Sequence, residues 1–279
     1  MNSKQAICRV LMLASIVIFL VSPSVSAESG KTVKVFFLGG QSNMLGKGGE
    51  TTDLSLYYKY PLPKIQIWGV KTKQWKPLAP EGRSFGPELS FGHAIAKVFP
   101  NDDIRLVKYA ANGTALYNDW APTKGAQYVS FMGAVMAALG DLRSNNIEFE
   151  IAGMLWLQGE SDAQERKGED YKKNLLAFIK RMRTEFNKPK MPFVIARVRD
   201  FYGKGAQAQM VRDAQVEVAN KTESVMWFDT DDCGQLIKGG HYTSAGLIKI
   251  GKKFAVQFGD MIGTTKKNDC EDAFRHCEG

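Results

Sequence analysis

Val33-Lys34-Val35-Phe36-Phe37-Leu38-Gly39-Gly40-Gln41-Ser42-Asn43-Met44 sets a β-rich apolar run against two glycines and then a polar turn. Such a run reads as a buried strand whose next residues swing over the carboxyl edge of a parallel sheet, where open α/β proteins place their ligand crevice. The turn carries a lone serine. Ser42 is either a cap for the backbone that follows or a nucleophile, and a nucleophile needs a base, an orienting group and oxyanion donors from elsewhere in the chain. Two glycine motifs fail here. There is no G-x-S-x-G elbow, and five residues separate Gly40 from Gly46 with Gly48 after Lys47, so the phosphate-loop spacing is missed.

Outward from this turn the alternation continues. Further β-rich runs occupy 104–109, 151–157, 192–198 and 225–228, and apolar residues spaced by three and four predict helices over 88–98, 127–143, 169–186, 206–219 and 244–258. Buried strands alternating with helices predict an α/β fold, a three-layer α/β/α sandwich around a central, mostly parallel five-stranded sheet. Residues 46–86 break the rhythm. With Pro61, Pro63, Pro77 and Pro80, and only a short strand candidate at 65–68 before Trp75, they read as an irregular insertion suited to a substrate-facing wall.

Lys4 and Arg9 precede about a dozen apolar residues at 10–21, and Val25-Ser26-Ala27 closes a small-residue segment. This pattern predicts a signal peptide over 1–27, a single domain over 28–263 and a polar surface tail over 264–279. A retained anchor is the alternative, although the run is shorter than the ~20 residues of a spanning helix. The expectation is a secreted or periplasmic protein with no membrane attachment after cleavage. The formal charge of the 279 residues is +8, and the first 27 hold two basic and no acidic residues, which leaves +6. The lysines are scattered in small groups without an aromatic-interleaved stripe, so no nucleic-acid partner is expected. Of four cysteines Cys8 lies in the leader, and Cys233, Cys270 and Cys277 leave an odd thiol; Cys270 and Cys277 could be bridged, or Cys233 could claim either. Oligomeric state is not legible.

Among three histidines His93 sits in a helical run and His276 in the tail. His241, between the last strand and the last helix, falls at the same sheet edge as Ser42. Two more loops reach that edge, Ala110-Ala111-Asn112-Gly113-Thr114 and Gln158-Gly159-Glu160-Ser161-Asp162. Their amide side chains and glycine N–H groups are of the type that holds an oxyanion. Each loop alone is also ordinary turn chemistry. Asp229, Asp231 and Asp232 match no EF-hand or zinc spacing, so no metal and no cofactor is expected.

Gly40-Gln41-Ser42-Asn43-Met44, Gly86-Pro87-Glu88, Asn112-Gly113-Thr114, Gln158-Gly159-Glu160-Ser161-Asp162 and His241 with Gly246, in this order, resemble the sialate O-acetylesterase and acetylxylan esterase group. That group is carbohydrate esterase family six and its relatives, in the SGNH-hydrolase superfamily with its flavodoxin-like fold. The resemblance spans about 33–258. It implies Ser42 as nucleophile, His241 as general base, and an oxyanion hole from the N–H groups of Ser42 and Gly113 and the side chain of Asn112, with Gln158 as a further donor. The implied function is that of an exported serine esterase acting on an acetylated carbohydrate. One position departs from the pattern: where the family typically has an aspartate, three residues before the histidine, this chain has Lys238, which cannot accept the imidazole N–H. Asp232, Asp231 and Glu160 are the candidate orienting acids; a Ser-His dyad or loss of activity are the alternatives. A glycan-binding protein that kept the fold and a carbohydrate O-acetyltransferase are the competing functions. Tyr57, Tyr58, Tyr60, Trp68, Trp75 and Trp120 are candidates for stacking on sugar rings or for packing.

Overall fold

Along β1 (Val33–Gly40) Val33, Val35 and Phe37 fall on one face and Phe36 and Leu38 on the other, and all five are buried. A strand that is apolar on both faces needs cover on both. In the computed structural model, which describes residues 32–199, 205–237 and 239–263, the cover comes from two helical layers. The leader, Lys238, Cys270, Cys277, His276 and the tail lie outside the described residues.

After β1 come α1 (Ser42–Leu45), α2 (Leu56–Lys59), the hairpin of β2 (Ile65–Gly69) and β3 (Gln74–Pro77), α3 (Glu88–Val98) and β4 (Asp103–Ala110). Next are α4 (Ala126–Ser144), β5 (Phe149–Leu157), α5 (Glu160–Gln164), α6 (Gly168–Glu185), β6 (Phe193–Arg197), α7 (Gly205–Lys221) and β7 (Val225–Asp229). The small hairpin of β8 (Leu236–Ile237) and β9 (His241–Tyr242) leads into α8 (Ser244–Met261). Val33, Val35 and Phe37 share a core with α4, α6 and α7, and Phe36 and Leu38 share one with α3 and α8. Each face of the sheet thus has its own core.

The sheet has seven strands, in the order β3-β2-β4-β1-β5-β6-β7, where five were expected. The two extra strands come from the insertion, and their signal is weak for a physical reason. β2 pairs with β4 over only Ile65 to Ile67, and β3, the antiparallel edge, is Gln-Trp-Lys-Pro with no buried residue. Pro77 is tolerated there because an edge strand needs no N–H on its open side.

Winding reverses at β1, which lies between β4 and β5. The crevice at the carboxyl ends of β1 and β5 is therefore the place where the fold offers a site. Gly40 makes the crevice possible: at φ 154° a Cβ there would lie 2.1 Å from the Leu157 carbonyl oxygen. With no side chain at Gly40 the next amide, that of Gln41, reaches Leu157 O at 3.1 Å and pins the turn to β5.

Cys233 is buried and holds no disulfide. Burial pushes its thiol up to about 12, so it stays protonated. No helix among the described residues is long and apolar enough to cross a membrane.

Candidate active site

A cavity of about 200 Å³ opens at this switch point. Gln41, Ser42 and Asn43 line it from the end of β1, and Asn112 and Gly113 from the end of β4. Glu160, Ser161 and Gln164 enter from α5, and Gly239, Gly240 and His241 from the β8–β9 hairpin. Of the residues singled out in the sequence, Ser42, Asn112, Gly113, Glu160 and His241 share this cavity. Gln158, Asp231 and Asp232 do not line it.

Ser42 opens the one-turn helix α1 and is 5% exposed. Immediately before it, Gln41 accepts hydrogen bonds at its side-chain carbonyl from Gln158 Nε2 (3.3 Å) and Ser161 N (3.2 Å). Gln41 thus lines the cavity with its carbonyl end fixed against the β5 turn. Gln158 is wholly buried, and its amide donates to Asp162 Oδ2 (2.6 Å), Thr114 O (3.1 Å) and Gln41 Oε1 (3.3 Å). The donor role expected for Gln158 does not fit this placement, because its N–H groups are spent on neighbouring loops. Gln41 is the residue that sequence reasoning passed over. The signal was available: it is an amide side chain next to the serine.

Behind Gln158 the network closes. Tyr171 Oη donates to Gln158 O at 2.7 Å, Gln215 Nε2 donates to the same carbonyl at 2.9 Å, and Trp156 Nε1 reaches Tyr171 Oη at 3.3 Å. Asp162 accepts from the backbone N–H groups of Leu116 (2.8 Å) and Tyr117 (3.1 Å), which ties the Asn112–Gly113 loop to α5. Burial pushes the Asp162 carboxyl above the ordinary range, against the pull of these donors.

On the other side Asn43 does most of the holding. Its Nδ2 donates to Glu160 Oε1 at 2.7 Å and lies 3.4 Å from Gly240 O, while its Oδ1 accepts from Tyr242 N at 3.2 Å. One side chain therefore clamps the backbone on both sides of His241. Gly239, at φ 92°, lies under the imidazole: a Cβ there would stand 3.0 Å from the ring. Glu160 is buried, and its second carboxylate oxygen has no hydrogen-bond partner among the described residues. Desolvation drives its carboxyl upward, opposed by the hydrogen bonds from its own backbone and from Asn43.

Asp231 and Asp232, expected as possible orienting acids, are engaged elsewhere. Asp231 accepts from Arg212 (2.6 and 2.9 Å) and Arg197 (3.2 Å), chiefly the former lowering its carboxyl. For Asp232 burial alone would raise the carboxyl, but Lys253 and Lys249 of α8 hold it at about 2. The insertion also differs from its expected role. None of residues 46–86 is among the cavity-lining residues; instead Glu50 N donates to Ser244 Oγ (2.9 Å) and Ser244 Oγ to Asp53 (2.6 Å), so it buttresses the start of α8. Trp120, Trp68 and Tyr58 are core residues, and none of the six candidate stacking aromatics lines the cavity.

Residues 32–260 match the family described as "Carbohydrate esterase, sialic acid-specific acetylesterase". The chain belongs to this family. Its members are carbohydrate acetylesterases and so carboxylic ester hydrolases. A probable carbohydrate esterase of Arabidopsis thaliana is 26% identical over 243 residues, which is 80% of this chain and 88% of that protein. Its crystal structure superposes with a TM-score of 0.68 at 23% identity, over 81% of this chain and 97% of the other. NanS superposes at 0.65 with 14% identity, over 85% and 99%. A carbohydrate acetylesterase from Xanthomonas citri superposes at 0.61 with 17% identity, over 80% of this chain and 55% of its own. At these identities the superpositions speak for the three-layer fold.

For a member of this family the cavity holds the parts that ester hydrolysis requires: a hydroxyl, an imidazole and amide donors converging from separate loops. The amide donors rest on a closed buried network and the imidazole on the Asn43 clamp.

Proposed function

We propose that this chain is an exported serine esterase that removes O-acetyl groups from a carbohydrate through an acetyl-enzyme on Ser42. The observation that carries the reading is the shared cavity of Ser42, His241, Gln41 and the Asn112–Gly113 loop. Ser42 Oγ attacks the acetyl carbonyl carbon while His241 takes the hydroxyl proton. Negative charge on the carbonyl oxygen is received by the N–H groups of Ser42 and Gly113 and the amides of Gln41 and Asn112; one such donor contributes on the order of 10²- to 10³-fold in rate. Collapse breaks the bond to the sugar oxygen, and His241 returns the proton to that oxygen. Water, deprotonated by His241, then attacks acetyl-Ser42; acetate leaves and Ser42 recovers its proton. The lysine at 238 sets this site apart from an aspartate-backed triad, so a backbone-held His241 working with Ser42 as a dyad is the form of the mechanism offered here. Export is supported by the basic-then-apolar pattern of residues 1–27.

The experiment is acetate release from acetylated xylooligosaccharide and from 4-nitrophenyl acetate, by wild type and by Ser42→Ala. The variant is expected to lose about 10⁴-fold or more in kcat on both. Equal rates in the two proteins would sink the assignment. Lys238 also favours a second reading, a glycan-binding protein of the same fold. That reading predicts oligosaccharide affinity with no acetate release and no labelling of Ser42 by an organofluorophosphate.

A further inference from the structure

α5 is only five residues long, and its side chains divide cleanly. Asp162 turns into the buried network, where it accepts from Leu116 N and Tyr117 N, and Ala163 joins the core beside it. Ser161 and Gln164, three positions apart and so on one face of the turn, line the catalytic cavity. Ser161 is anchored there by its backbone, whose N–H donates to Gln41 Oε1 at 3.2 Å, which leaves its hydroxyl outside that bond. The face thus offers a hydroxyl and a carboxamide, which can each donate and accept.

An acetyl ester bound at Ser42 has two unlike halves. The methyl of the acetyl group can form no hydrogen bond, whereas a sugar alcohol presents several hydroxyls that lose water on entering the cavity and need partners. The other polar side chains of the lining have different tasks: Asn43 bonds to Glu160 and to the hairpin, the carbonyl of Gln41 is held by Gln158 and Ser161, Asn112 belongs to the oxyanion side, and Glu160, buried behind Asn43, is a carboxyl with one oxygen bonded. We infer that Ser161 and Gln164 form the subsite for the leaving alcohol, reading hydroxyl groups next to the acetylated carbon and so selecting a polyhydroxylated alcohol over an aryl or alkyl one. This rests on the esterase reading above and adds to it the residues that choose the substrate.

The test compares kcat/KM for partially acetylated xylooligosaccharide with kcat/KM for 4-nitrophenyl acetate, whose alcohol carries no hydroxyl beyond the ester oxygen. The proteins are the wild type, Ser161→Ala, Gln164→Ala and the double variant. The ratio of sugar ester to aryl ester is expected to fall severalfold in each single variant and on the order of tenfold or more in the double one, with most of the change in KM. A ratio unchanged from wild type overturns the subsite, and so does a loss shared equally by both esters, which marks a structural effect. Binding of the same oligosaccharide to Ser42→Ala, with and without the two further substitutions, reads the subsite without turnover: weaker binding in the triple variant supports it, and equal binding overturns it. Loss of the esterase reading shows separately, as a wild type that releases acetate from neither ester.

Discussion

Glu160 and Asp162 stand two residues apart on α5, both buried, and the fold treats them in opposite ways. Asp162 accepts three donors on its two oxygens, from Leu116 N, Tyr117 N and Gln158 Nε2. Glu160 accepts one side-chain donor, Asn43 Nδ2, and its second oxygen has no hydrogen-bond partner among the described residues. The two carboxyls belong to two walls of one cavity. The wall with the amide donors is a closed polar network, of the kind that fixes loops rigidly. The wall with His241 is a short hairpin of two-residue strands held through Asn43, next to a carboxyl buried at a loss. Such a half-satisfied group is hard to explain by stability and easy to explain by a site that needs it.

The largest effect should come from breaking the closed wall. Asp162→Ala removes the acceptor for the buried Leu116 N–H and the part-buried Tyr117 N–H, and takes the shortest of three acceptors from the Gln158 amide, which keeps Thr114 O and Gln41 Oε1. Unsatisfied groups cost about 1–3 kcal/mol each when they cannot reach water, so a loss of about 3 kcal/mol or more is expected in urea unfolding. Activity should fall with the fold. A loss under about 1 kcal/mol would mean that the wall is not closed and that the contrast with Glu160 is false.

Breaking the other wall should do something different in kind. Asn43→Ala releases Gly240 O, Tyr242 N and Glu160 Oε1 together, and with them the hairpin that carries His241. A misplaced base costs turnover more than binding: kcat is expected to fall about 100-fold with KM changed less than about threefold. Stability should also fall, by about 1–3 kcal/mol, since the groups that lose Asn43 are buried. Should Asn43→Ala unfold as readily as Asp162→Ala, the two walls are one structure.

The same contrast explains what could be read in advance. The sheet's central strands were legible because they are apolar on both faces, and the short candidate at 65–68 is β2; β3 was not legible, because an edge strand of Gln, Trp, Lys and Pro carries no such pattern. Ser42, Asn112 and His241 could be placed at one edge from strand ends alone, and all three line the cavity. Which amide faces the cavity was not legible. Gln41 and Gln158 are chemically alike, and only the hydrogen bonds that consume the Gln158 amide separate them. Likewise Asp231 and Asp232 are close to His241 in sequence, but Arg212 and two lysines of α8 draw them away from it. A sequence shows which charges are near along the chain, and the fold decides which are near in space.

The smallest effect is the sharpest test of the comparison, and it concerns pH. Burial holds the Glu160 carboxyl above its ordinary range, so the folded protein binds that proton more tightly than the unfolded chain does. Stability from the protonated carboxyl is then complete below the unfolded value, near 4.3 for a glutamate, and declines as pH rises from there to the raised folded value. Glu160→Gln keeps an oxygen for Asn43 and has nothing to titrate, so this decline disappears. Its own buried amide sets the level of stability but not the slope. Asp162 is also raised by burial and contributes a decline of its own in both proteins, and its charge is among the causes that raise Glu160, so the difference reads Glu160 together with that interaction. Urea midpoints at about pH 4 and pH 7.5 should therefore show wild type losing more stability than Glu160→Gln across the interval. Equal slopes would mean that Glu160 is as well compensated as Asp162, and the hairpin wall would then be no more strained than the wall opposite.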